Sequence, residues 1–162
     1  MHKISVVINT YNEEKNIRNC LESVKWADEI IIVDMHSEDN TVAIAKEYVN
    51  VKIFYFEKCG YADPAREYAF RQASHDWVLV LDADEMISSN LYKTIKKIIV
   101  TDSCDVAYIP RQNYMFGEEI LCGDWGVEVI SRLMKKSSVI GFDGSIHSQF
   151  YLFDNNVRKY II

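Results

Sequence analysis

The stretch WVLVLDADEM, residues 77–86, decides how the chain is read. Val78, Leu79, Val80 and Leu81 form a continuous apolar run, and Asp82, Asp84 and Glu85 follow with no turn residue between. A strand that is apolar without alternation is covered on both faces, as in a parallel sheet packed between helices. Ligands of such sheets bind outside the carboxyl ends of the strands, where these acids stand. Asp82 and Asp84 are two apart, so in extended chain their side chains leave on the same side. With no basic residue adjacent in sequence, the two carboxylates repel unless a cation joins them. Their oxygens suit Mg2+ or Mn2+, ions whose shells are commonly completed by substrate phosphates. The plainer alternative is a solvated acidic loop in which Asp82 or Asp84 caps the next helix, and Asp-x-Asp alone does not separate the two.

Working outward, strand and helix signals alternate over the first hundred residues. ISVVIN (4–9), EIIIVD (29–34) and VKIFYF (51–56) read as three further strands. Between them, Ile17, Cys20, Leu21 and Val24 form one helical stripe, and Thr41, Ile44, Ala45 and Tyr48 another. Residues 63–74 start with Asp63 as a cap and Pro64 at the first helical position. Leu91, Ile95 and Ile98 mark a last helix, capped by Ser88 or Ser89. Four strands separated by helices predict parallel units with right-handed crossovers, an open α/β sheet flanked on both faces. Beyond residue 100, CDVAYIPRQNYMFG and VEVISRLMKK read as strands with no helix between them, which predicts a mixed or antiparallel second half. FDGSIHSQFYLFDNNVRKYII adds one or two more strands and stops on apolar residues, as a truncated domain would. We read 162 residues as a single domain.

Composition narrows the function. The chain is 49% hydrophobic with six Gly and two Pro, which argues against disorder. A net charge of −6 disfavours a nucleic-acid backbone or an anionic membrane as the main partner. No apolar run reaches the ~18 residues of a membrane span, and the start MHKISVVINTYNEE lacks a secretory pattern. Cys20, Cys59, Cys104 and Cys122 form no Cys-x-x-Cys pair and read as reduced thiols. The expectation is a cytoplasmic domain, with contact at the inner face of a membrane left open.

Polar groups gather at other strand ends too. The first ends in NTYNEE and the second in VDMHSEDNT. Asp34 and Tyr11 are suited to a planar nucleobase, one accepting a ring N–H and the other stacking. Asp39 or Asn40 reads instead as the cap of the helix from Thr41, and Asn12 as that of the helix before Ile17. Tyr11 has its own plain alternative, packing against the sheet edge.

ISVVINTYNEEKNIRNCLESV, DEIIIVDMHSEDNTVAIAKEY, GYADPAREYAF and WVLVLDADEMIS, in this order, resemble the successive motifs of glycosyltransferase family 2 over roughly residues 3–90. DMHSEDNT and the late VEVISRLMKK and IHSQ segments look most like the lipopolysaccharide-core glucosyltransferase subgroup. The resemblance implies a GT-A fold and inverting transfer of a sugar from a nucleotide-diphosphate donor, a UDP-sugar first, to a glycan or lipid-linked acceptor. Residues 1–100 would bind the nucleotide and residues 101–162 serve the acceptor and catalysis. Carried over by motif, Thr10, Tyr11 and Glu13 would line the nucleotide pocket, with Asp34 accepting from the base. Arg66 would approach base or diphosphate, the alternative being a surface arginine. Asp82 would meet the ribose or a metal-bound water, and Asp84 would ligate Mg2+ or Mn2+. AREY places Glu67 where many members have Asn, either beside the diphosphate or outward on its helix. No Gln-x-x-Arg-Trp is present, against a processive synthase.

An inverting displacement needs a carboxylate to take the acceptor's proton. Glu128, before the strand carrying Arg132, is the first candidate and Asp124, in GDWG, the second. Glu118 and Glu119 read as a solvated turn. His147 is a candidate for metal or diphosphate, although IHSQ lacks the acid that follows histidine in the subgroup. Two rivals stay open: a haloacid-dehalogenase-like phosphatase, whose Asp-x-Asp also follows an apolar strand, and a non-catalytic nucleotide-sugar binding module.

Overall fold

The computed structural model describes residues 2–58, 63–115, 117–121, 128–142, 150–152 and 157–162. Strands β1 (Ile4–Thr10), β2 (Glu29–Asp34), β3 (Val51–Tyr55) and β4 (Trp77–Asp82) alternate with helices α1 (Ile17–Val24), α2 (Thr41–Ala45) and α3 (Asp63–Gln72). Helix α4 (Ser89–Thr101) follows, and then β5 (Val106–Arg111). Two short strands, β6 (Tyr114–Met115) and β7 (Glu118–Glu119), pair antiparallel, turning at Gly117 with φ +84°. The remaining strands are β8 (Glu128–Lys135), β9 (Val139–Phe142), β10 (Phe150–Leu152) and β11 (Lys159–Ile161).

Seven strands make one sheet in the order β11-β5-β8-β4-β1-β2-β3. β3, β2, β1 and β4 run parallel, and β8 lies antiparallel between β4 and β5. The expected α/β sheet with a mixed second half is therefore observed, and β8 joins the two halves in a single sheet.

Each face of the sheet carries its own apolar cluster. Ile4, Val6 and Ile8 of β1 pack with the α1 stripe Ile17, Cys20, Leu21 and Val24 and with Ile95 and Ile98 of α4. Val7, Val78 and Val80 pack with Ala65, Ala69 and Phe70 of α3. Full burial of each large aliphatic side chain contributes about 1.5–3 kcal/mol, which sets the strand register firmly. Asn9 and Asp82 are partners in that register, so the ends of β1 and β4 arrive together.

Local chemistry sets the element ends. Ser88 caps α4, its Oγ accepting from the Leu91 N–H at 3.2 Å. Asp39 secures the start of α2, one oxygen accepting from the Thr41 N–H at 2.9 Å and the other from the Glu14 N–H at 3.0 Å. α2 stops at Ala45, short of Tyr48, whose hydroxyl donates to Glu22 at 2.8 Å. α3 stops at Gln72, two residues earlier than expected, because the Ser74 N–H and hydroxyl both donate to Glu29. Asn12 does not cap α1; at φ 55° its side chain accepts from the Glu38 N–H at 2.8 Å. Among the described residues no helix is long and apolar enough to cross a membrane.

Candidate functional site

An open pocket of about 320 Å³ lies over the carboxyl ends of β1 and β4. Asn9, Thr10, Glu13, Arg66, Asp82 and Asp84 contribute to its lining, with Tyr11 and Arg111 at its edges. The parallel register delivers the β1 and β4 residues, and α3 brings Arg66 across the top of the same face.

Asp82 sits at the centre of an alternating chain of charges. Its Oδ1 accepts from Arg66 Nη2 at 2.7 Å and its Oδ2 from Arg132 Nη2 at 2.8 Å. The same Arg132 nitrogen donates to Glu85 Oε1 at 2.7 Å. Arg111 lies 3.6 Å from Glu85 and donates to Glu128 Oε2 at 2.6 Å. Burial opposes ionisation of Asp82, but Arg132 and Arg66 overcome it and hold its carboxyl down to about 2. Burial dominates at Glu85, whose carboxyl is raised although Arg132 faces it. Arg132 itself is pressed toward neutrality by burial, yet Asp82 and Glu85 raise it further, so it stays charged.

The expected role of Asp82, at the ribose or a metal-bound water, starts from a carboxylate that two bases hold in place. Sequence neighbours offered Asp82 no base, but α3 and β8 supply two, and both carboxylate oxygens are committed to guanidinium groups. A β-bulge makes this possible. Ala107 faces Leu133 while Tyr108 faces Ser131, so Arg132 is the extra residue of β8 and has no partner on β5. Bulges re-aim side chains; Arg132, 7% exposed, is aimed at the β4 end instead of lying along the ladder. An arginine inside VISRLM was the one sequence signal for it.

Asp84 is different: exposed on the pocket lip, its carboxylate has no hydrogen-bond or ion-pair partner among the described residues. That leaves hard oxygen ligands available for a divalent cation whose shell a diphosphate completes. No group of three or more His, Cys, Asp or Glu converges as a metal shell among the described residues. Cys20 lies below, its thiol 3.8 Å from the Asp82 carbonyl; burial and the surrounding acids push it up to about 12, leaving it an inert thiol.

A second pocket of about 410 Å³ adjoins the first and shares Tyr11 and Met35 with it. His36, Glu38, Glu57 and Lys58 complete its wall. Lys58 Nζ sits 3.8 Å from the Tyr11 ring centroid, so this aromatic face already holds a cation. Asp34 anchors a turn at the end of β2. It is fully buried, lines neither pocket, and accepts from the Ser37 N–H at 2.8 Å and the Ser37 hydroxyl at 2.5 Å. Its carboxylate secures the turn that carries Met35 and His36 into the pocket wall. Glu13 lines the first pocket and accepts from the Asn16 side chain at 2.8 Å. Glu67 points along α3 to Arg71, 2.5 Å away, and not to the pocket. Glu118 and Glu119 are exposed, as expected. Asp124 and His147 lie outside the described residues.

Sheet order, helices on both faces and acids at the strand ends define an α/β domain of the GT-A type. The chain belongs to glycosyl transferase family 2, whose sequence pattern matches residues 5–138. An uncharacterized glycosyltransferase of Rickettsia typhi is 40% identical over 106 residues, covering 65% of this chain and 36% of that protein. The lipopolysaccharide core biosynthesis glycosyltransferase LpsC of Rhizobium meliloti is 29% identical over 119 residues, covering 70% of this chain and 44% of that protein. The crystal structure of Staphylococcus aureus TarS residues 1–349 in complex with UDP-GlcNAc superposes with a TM-score of 0.62 at 30% identity, covering 73% of this chain and 36% of that one. The chain thus spans less than half the length of these relatives. The family match removes the phosphatase alternative.

Proposed function

We propose that this domain binds a UDP-sugar and transfers its sugar, with inversion, to a glycan or lipid-linked acceptor. The observation that carries the reading is the division of labour between the two aspartates of LDAD: Asp82 is locked between Arg66 and Arg132 while Asp84 stays open at the pocket lip. Support for UDP comes from the TarS structure, whose bound donor is UDP-GlcNAc. Residues 1–100 form the donor half and residues 101–162 the acceptor half. The work is placed at the cytoplasmic face of a membrane or in the cytoplasm.

The side chains divide the task as follows. Asp84 would hold Mg2+ or Mn2+, an ion that neutralises charge developing on the leaving diphosphate. Thr10, Tyr11 and Glu13 border the nucleotide, and the turn anchored by Asp34 walls the base pocket. Arg66 leans over the phosphates from α3. Glu128 takes the acceptor hydroxyl's proton, and Arg111 orients its carboxylate; Asp124 is the alternative base, and His147 a further group for the diphosphate.

Calorimetry of UDP with Mn2+ tests the reading. Wild type should bind in a metal-dependent way, and a folded Asp84→Asn variant should lose that dependence. Transfer should fall about 10²- to 10³-fold, the several kcal/mol of a metal contact. Equal, metal-dependent UDP affinity in both proteins would reject the assignment. Binding by wild type with neither transfer nor donor hydrolysis would favour the binding-module reading.

A further inference from the structure

Asn9, next to last in β1, is 5% exposed, and neither its amide oxygen nor its amide nitrogen has a hydrogen-bond partner among the described residues. Thr10 follows at 2% exposure with its Oγ1 equally unpaired. Both residues line the 320 Å³ pocket. Buried polar groups are nearly always paired, because desolvation is otherwise uncompensated. Four residues earlier on the same strand face, Ser5 obeys that rule and donates to Glu29 at 2.6 Å. Asn9 lies beside Asp82 in register, yet both oxygens of that carboxylate belong to guanidinium groups. The carboxamide therefore has both its acceptor and its donor to offer to what enters the pocket.

We propose that Asn9 is a donor-contacting residue that reads sugar hydroxyls. Its two ends decide the ligand chemistry. Phosphate oxygens only accept, so they would leave Oδ1 bare. A metal ion would set a positive charge against the amide N–H groups. A pair of neighbouring hydroxyls both donates and accepts, and it satisfies Oδ1 and Nδ2 together. The inference rests on the donor-binding reading above. The diol belongs either to the ribose or to the transferred sugar, two sources with one chemistry.

Asn9→Leu keeps the size and removes both polar ends; Asn9→Ala is the second variant. Each is compared with wild type by thermal unfolding without ligand and by calorimetry of UDP and UDP-GlcNAc with Mn2+. The expected result is an unliganded Tm that is unchanged or higher, because an uncompensated amide has gone, together with at least tenfold weaker binding. Loss for both ligands assigns the ribose; loss for UDP-GlcNAc alone assigns the transferred sugar. Unchanged affinity, or a loss that accompanies a lower unliganded Tm in both variants, overturns the inference and makes Asn9 the seat of a structural water. Absence of binding by wild type would sink the donor reading itself, and it is told apart because it needs no variant.

Discussion

At the amino end of the sheet, Ser5 of β1 and Glu29 of β2 are neighbours in register and both are buried. Glu29 accepts from Ser5 Oγ at 2.6 Å, the Ser74 N–H at 2.9 Å, Ser74 Oγ at 2.7 Å and Lys52 Nζ at 2.6 Å. At the carboxyl end of the same strand, Asn9 and Thr10 are as deeply buried and unpaired, and Asp82 and Glu85 share one arginine. Burial alone does not distinguish a structural polar group from a working one. Whether its hydrogen bonds are already made does: the amino end contributes stability alone, whereas at the carboxyl end the paired charges hold the site and the unpaired Asn9 and Thr10 keep binding capacity in reserve.

The sharpest way to break this contrast is Arg132→Met. Asp82 and Glu85 would then face each other without the cation between them. Removing one partner of a buried ionic group costs about 3–5 kcal/mol of stability, and Asp82 would keep only Arg66 of the two bases that hold it ionised and in place. Chemical denaturation should show that loss, and transfer by the folded fraction should fall by more than ~10²-fold. An active, equally stable variant would mean that the carboxyl end is not held by charge.

Glu128→Gln comes next. It should keep donor affinity and lose about 10²-fold in transfer, as expected of a missing general base. If Arg111→Met, which frees Glu128 from its 2.6 Å partner, also lowers transfer with donor affinity intact, the base assignment gains a second support. Loss with Asp124→Asn and not with Glu128→Gln would move the assignment to Asp124.

Glu29→Gln is the smallest effect and the control. It should cost about 1–3 kcal/mol of stability and leave UDP affinity untouched. Burial opposes ionisation of Glu29, but Lys52, Ser5 and Ser74 overcome it and hold its carboxyl down to about 2. A folded-state value below the unfolded one, ~4.3, gives stability that is present above that value. It is lost as pH falls through about 2. Denaturation at a series of pH values should therefore show a shallower acid slope for Glu29→Gln than for wild type. A change in UDP affinity would contradict the division between the two ends.

Much of this was legible in the sequence because it follows from local periodicity. The unbroken apolar runs of β1, β2 and β4 and the α1 stripe state which faces are buried before any fold is known. Acids at the end of β4 then point to the site, since parallel strands present their carboxyl ends together. Glu67 reads in two directions in sequence, and its helix neighbour Arg71 takes it. Tertiary structure alone decided who meets whom there. Arg132 lies fifty residues from Asp82 and reaches it only because β8 inserts antiparallel beside β4 and bulges at that residue. Asp34 reads as an open acceptor in sequence, yet its strand end folds back so that Ser37 donates to both of its oxygens. Asn9 opens NTYNEE, legible in sequence as one of several polar residues at a strand end, but its orphaned amide exists only relative to neighbours brought by other strands and helices. Burial follows from the pattern of one segment, whereas hydrogen-bond satisfaction depends on partners far along the chain.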